Sequence, residues 1–195
     1  MKTKMVLAFA ALLALGACGR MSDDNYGVYG DGDYFIVVNH HRQKINFTSA
    51  GHPGPDALLQ EIENGKGIGF STWRDDTSCG LTDDKGNSFV VPRAASHLTR
   101  KGLNYQVIAP DPIYETVNEG QAPHAITVKV TDANGVPVMG YVFDDTIGIR
   151  SIDRYHDGEP DRKIVLQEGV GLLAHCRGLS LDDKGWFNQL SGDKK

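Results

Sequence analysis

The sequence predicts a mainly β fold, β-sandwich-like and of one or two domains, with one short helix. Three observations carry that expectation. Residues 125–132 (AITVKVTD) alternate, with Ile126, Val128 and Val130 on one side and Thr127, Lys129 and Thr131 on the other, the period-two pattern of a half-buried strand. Short β-branched and aromatic runs recur along the chain between Asp- and Gly-containing turns: TDDKG at 82–86, TDANG at 131–135 and LDDKG at 181–185. Convincing helical periodicity occurs once, over residues 56–64, where Leu58, Leu59 and Ile62 share a face behind Pro55 and ahead of Gly65.

Taken in order, residues 34–38 (YFIVV) form a continuous apolar run, as expected of a strand buried on both faces, and residues 44–48 return beside it. The helix is barely three turns long, so its stability must come from packing on a sheet. Strands are expected at 68–73, in a hairpin over 81–92, and at 104–109, which Pro110 and Pro112 end. Beyond 125–132 the chain offers 138–143, 147–152, 163–166 and 170–176 as further strands. The three Asp-x-x-Gly turns recur at close to fifty-residue spacing. Their flanks share little, so turn chemistry explains them better than an internal repeat.

Residues 1–17 stand apart from this pattern. Lys2 and Lys4 precede an apolar run over 5–15, about half the length needed to span a bilayer, which marks an export signal rather than a membrane span. The ending Leu15-Gly16-Ala17-Cys18 resembles the lipobox of bacterial lipoproteins. That resemblance implies cleavage before Cys18, acylation of its thiol and amine by three chains, palmitate among them, and a periplasm-facing life on a membrane. Gly19 stands where inner-membrane lipoproteins of enterobacteria carry Asp, so the outer membrane is the implied destination. Residues 18–33, rich in Gly and Asp, read as a flexible tether, and 34–195 as the globular region.

In an oxidising compartment Cys79 and Cys176, left once Cys18 is lipidated, are expected to form a disulfide. Their wide separation and the lack of Cys-x-x-Cys favour a structural staple over a redox centre. A second resemblance sits at 130–143 (VTDANGVPVMGYVF), which is similar to the opening of small immunoglobulin-like and transthyretin-like domains. It implies a Greek-key sandwich over 110–176 with a first lobe at 34–109, and it carries no chemistry of its own.

Charge and motifs bound the function. The chain carries 20 Lys+Arg against 25 Asp+Glu, a formal charge of −5; losing Lys2 and Lys4 with the leader takes the mature chain to −7. An acidic surface argues against nucleic acid and against charge-driven binding to anionic headgroups, leaving the lipid as the anchor. The seven histidines are scattered apart from His40-His41, whose side chains would point to opposite faces of a strand, so no metal or other cofactor is expected. Residues 69–73 (GFSTW) lack the second glycine of a nucleophile elbow, and the paired aspartates at 75–76, 83–84, 144–145 and 182–183 sit in turns. No catalytic residues are therefore nominated, and the chain is not expected to be an enzyme. One segment has the composition of an interface: 148–162 (GIRSIDRYHDGEPDR), with Arg150, Arg154, Tyr155 and Arg162 as candidate partner-binding residues. The expected role is a non-enzymatic protein-binding lipoprotein, in its most concrete form an immunity protein that neutralises a periplasm-delivered toxin. The alternatives are an assembly factor of an envelope complex and a cryptic hydrolase.

Overall fold

Residues 34–38 are apolar without a break because they meet two different surfaces. The structure, a computed structural model, describes residues 25–32, 34–48, 54–92, 97–110, 125–144, 146–173 and 176. Its elements are β1 (Tyr26–Gly30), β2 (Phe35–Asn39), β3 (Lys44–Phe47), α1 (Pro55–Glu63), β4 (Ile68–Arg74), β5 (Ser78–Asp83), β6 (Ser88–Pro92), β7 (His97–Arg100), β8 (Leu103–Pro110), β9 (Ala125–Thr131), β10 (Pro137–Asp144), β11 (Gly148–His156) and β12 (Glu159–Gly169). Tyr34, Ile36 and Val38 face the main core, whereas Phe35 and Val37 face α1. Leu58 and Ile62 of the helix are sealed against Val28 and Val37. Full burial of each stabilises by about 1.5–3 kcal/mol, which holds a helix too short to stand alone.

All twelve strands belong to one antiparallel sheet, in the order β6-β5-β4-β3-β2-β1-β12-β11-β10-β9-β8-β7. Neighbours in sequence lie side by side except at two places: β12 returns to pair with β1, and β6 and β7 stand at opposite edges. Only residues 93–96 separate β6 from β7, so the two edges lie within roughly 18 Å of each other along the chain. A flat sheet of this many strands would be about 50 Å wide, so this one must roll. Side chains carry the same message. Tyr141 of β10 reaches β6, where its hydroxyl accepts from the Val90 amide at 2.9 Å and donates to the Val90 carbonyl. The β3–β4 joint is narrow, with Lys44 opposite Gly69 and Ile45 opposite Ile68 as its only pairs.

The inward face is one continuous core, running from Val90 and Val91 through Tyr105, Val128, Tyr141 and Phe143 to Ile152 and Ile164. One end of the roll is closed by the chain itself. Residues 170–173, expected as a strand, are not one; their apolar character serves burial inside the roll instead. The Tyr29 hydroxyl accepts from the Leu172 amide at 2.7 Å and donates to the Ile149 carbonyl at 2.6 Å. The Ile149 amide donates to the Leu172 carbonyl at 2.6 Å, and Gly171 donates to Ile147 at 2.7 Å. Gly171 has to be glycine here, because a Cβ would overlap the Ile149 carbonyl oxygen. Beyond this crossing, Cys176 stands at disulfide distance from Cys79 of β5, Cα to Cα 6.1 Å, and both are buried.

Several expectations change. Residues 26–30, read as part of the tether, form β1 despite their two glycines, because Tyr29 enters the core and β12 and β2 pair on either side. The strands of 34–109 and those of 110–176 belong to a single sheet, with β1 pairing β2 on one side and β12 on the other. The strands β9 to β12 follow one another as a meander, not in Greek-key order, although the turn at Asp132–Gly135 forms as its sequence suggested. A short strand, β7, lies where none was expected. The lipobox-like residues 15–18, with Cys18, and the LDDKG sequence at 181–185 lie outside the described residues.

Candidate functional site

Opposite the closed end, the roll stays open. A cavity of about 670 Å³ lies between its inward faces, with Leu172 of the crossing segment among the residues that line it. Ile36 and Ile45 line it from one side, Leu103 and Met139 from the other, and Ile152 and Ile164 from the strands between. These are the inward members of alternating strands, so the pattern that builds the core also builds the cavity.

Its polar lining comes mainly from turns. Lys85 sits in the β5–β6 turn, Arg100 and Lys101 at the β7–β8 turn, and Arg154 near the tip of β11. Asp83 is also there, but its carboxylate is turned to its own loop, accepting from the Lys85 amide at 2.9 Å and from the Asn87 amide and side chain, each at 2.8 Å. Arg100 is strapped back: its guanidinium lies 3.7 Å above the Trp73 ring and donates to Asp75 at 3.1 Å. Hydrogen bonds from the Thr77 hydroxyl, then from the Thr77 and Ser78 amides and from Arg100, hold the Asp75 carboxyl well below the usual carboxylate range. Lys85 lies 5.5 Å over Phe47, itself stacked on Tyr34, and Phe47 is 46% exposed.

The β11–β12 hairpin contributes the feature with the clearest energetic meaning. Arg154 and Arg162 stand directly opposite each other in the strand register, two rungs beyond the Ile152–Ile164 pair and so on the same face. Arg162 is compensated, with Asp31 at 3.3 Å and the Tyr34 ring 4.9 Å from its guanidinium carbon. Arg154 forms no ion pair among the described residues. Burial raises the Tyr34 hydroxyl pKa above its ordinary value even though both arginines pull it down. Like charges placed directly across a ladder oppose folding by a few tenths of a kcal/mol or more.

Of the four nominated residues, the structure brings Arg154 and Arg162 together at the mouth. Tyr155 falls on the other face, beside Gly140, where a Cβ would come within 3.9 Å of its ring. Arg150 points to the closed end, 3.6 Å from Asp144, a buried carboxylate that also accepts from the Thr146 amide at 2.8 Å. Sequence reasoning missed Lys85, Lys101, Phe47 and Trp73. Each looks like an ordinary turn or strand residue until the roll collects turns from distant strands. Among the described residues, no group of three or more His, Cys, Asp or Glu side chains is placed to hold a metal ion, and no helix is long and apolar enough to cross a membrane. No family model matches the chain, and no curated protein or solved structure matches it either.

Proposed function

We propose that this chain is a lipid-anchored, periplasm-facing module that binds a protein partner and carries out no reaction. Its docking surface is the basic lip formed by the β11–β12 hairpin. The observation that supports this reading is the Arg154–Arg162 pair: two arginines in direct register, of which only one is neutralised. Such an arrangement costs stability in the free protein and is relieved when an anionic group arrives. On a chain of net charge −5, a basic mouth is a local reversal, suited to a carboxylate-bearing segment of a partner. Tyr155 extends the same hairpin on its outer side and enlarges the contact.

The concrete version is an immunity lipoprotein that occludes a toxin reaching the periplasm; the other is a factor that holds an envelope complex together. A photo-crosslinking residue at position 155 of the full chain in living cells tests the reading. A specific adduct that Arg154→Glu abolishes supports it. If no adduct forms, with or without toxin challenge, the docking surface is wrong. An adduct with a resident envelope protein in unchallenged cells selects the assembly version, and one that appears only with the toxin selects immunity.

A further inference from the structure

Behind the basic lip the cavity has a chemistry of its own. Ile36, Ile45, Ile68, Ile152, Ile164 and Leu172 present hydrocarbon to it, and its volume of about 670 Å³ falls within the range of small-ligand sites. A peptide pushed between those side chains would bury amide and carbonyl groups with no partners offered by them, at a cost of several kcal/mol each by transfer to an apolar medium. An alkyl tail has no such groups and gains by leaving water. Its head would arrive among Lys85, Lys101 and Arg154, none of which has an ion-pair partner among the described residues, while Asp83 is held by its own turn. Apolar depth beneath an uncompensated cationic rim is complementary to one class of molecule.

We infer that the cavity binds a single-chain amphiphile with an anionic head, specifically a long-chain acyl carboxylate. The tail lies along the inward isoleucines and the carboxylate meets Arg154 and Lys101. The inference shares the mouth with the binding reading above but does not depend on a protein partner. Phe47, exposed at the rim and stacked with Tyr34, provides an aromatic step between wet head and dry tail.

The test uses the full chain in phosphatidylcholine vesicles, titrated with dansyl-labelled undecanoic acid and with its methyl ester, against empty vesicles. Saturable emission in excess of the empty vesicles is expected for the acid, with the ester weaker by roughly tenfold or more, as for loss of a charge-assisted contact. The double variant Lys101→Glu, Arg154→Glu, at exposed or half-exposed rim positions, is expected to weaken the acid to the level of the ester and leave the ester unchanged. Met139→Trp, which fills the cavity, is expected to abolish both; its thermal midpoint is measured alongside. Emission no greater than that of empty vesicles overturns the inference. So does equal binding of acid and ester, or undiminished acid binding by the rim variant. A chain that crosslinks its protein partner through position 155 yet shows no saturable acid binding loses this inference and keeps the binding reading. A chain that binds the acid but crosslinks nothing does the reverse.

Discussion

At one end of the rolled sheet residues 170–173 cross the interior, and Tyr29 satisfies a buried amide and a buried carbonyl with one hydroxyl. At the other end the turns carrying Lys85 and Lys101 stand around an unfilled interior, and Arg154 faces Arg162 across the ladder. The same alternating strands supply both ends, so the difference lies in what the connecting segments bring. The closed end gathers groups that complete one another's hydrogen bonds. The open end gathers cationic side chains, of which Arg162 and Arg100 have acidic partners while Lys85, Lys101 and Arg154 form no ion pair among the described residues. If the open end is the recognition surface we propose, substitutions at the two ends should act on different observables.

The largest effect is expected at the staple. Replacing Cys79 and Cys176 with serine removes a cross-link over 97 residues and should lower stability by about 3–5 kcal/mol, read as a fall in the urea midpoint. Tyr29→Phe comes next, because it leaves the Leu172 amide and Ile149 carbonyl without that hydroxyl; a loss of about 2–3 kcal/mol is expected. Tyr34→Phe at the mouth should change stability by less than about 0.5 kcal/mol, and a larger cost would break the division between the ends. Arg154→Gln should stabilise by a few tenths of a kcal/mol, since it removes the like-charge pair, while weakening partner crosslinking. Stability that falls instead would show that Arg154 has a structural role.

The smallest effect is one of pH. Asp75 titrates below the ordinary carboxylate range in the folded chain, so the unfolded chain takes up this proton first as pH falls. Its contribution is therefore complete above the ordinary carboxylate pKa and is lost as pH drops through the depressed one. Asp75→Asn should flatten the acid limb of the urea midpoint against pH and loosen Arg100 from Trp73, read by tryptophan emission. Because the site is solvent-exposed and screened, the change in midpoint will be slight.

How much of this could be read from the chain varied with the range of the signal. Alternation at 125–131 and the continuous run at 34–38 located strands correctly, because burial on one or two faces leaves a local pattern. Residues 26–30 (YGVYG) hide their strand: only Val28 and the tyrosines carry side chains to bury, and one of its two pairing partners, β12, lies more than a hundred residues away. Residues 97–100 (HLTR) are too short and polar to signal a strand. The segment 170–173 misled in the opposite direction, since an apolar run records burial and not the backbone that achieves it. The hairpin arginines could be picked out by composition, but their register could not, and the rest of the rim comes from turns that meet only once the sheet has rolled.

The pairing of β1 with β12 also sets the order of events when the chain folds. β1 is synthesised well before its second neighbour β12, whose paired residues 165–169 follow it by more than a hundred positions. Until β12 arrives, β1 offers an unsatisfied edge beside the β2–β3 hairpin, which can form early from local contacts. The slow step of folding is then expected to be the docking of the C-terminal meander onto this waiting edge, with the 170–173 crossing and the Cys79–Cys176 bond following it. A chain halted before that step would carry an exposed strand edge that a second incomplete copy could occupy, so growth conditions that stall synthesis ahead of β12 should favour pairing between molecules over closure within one.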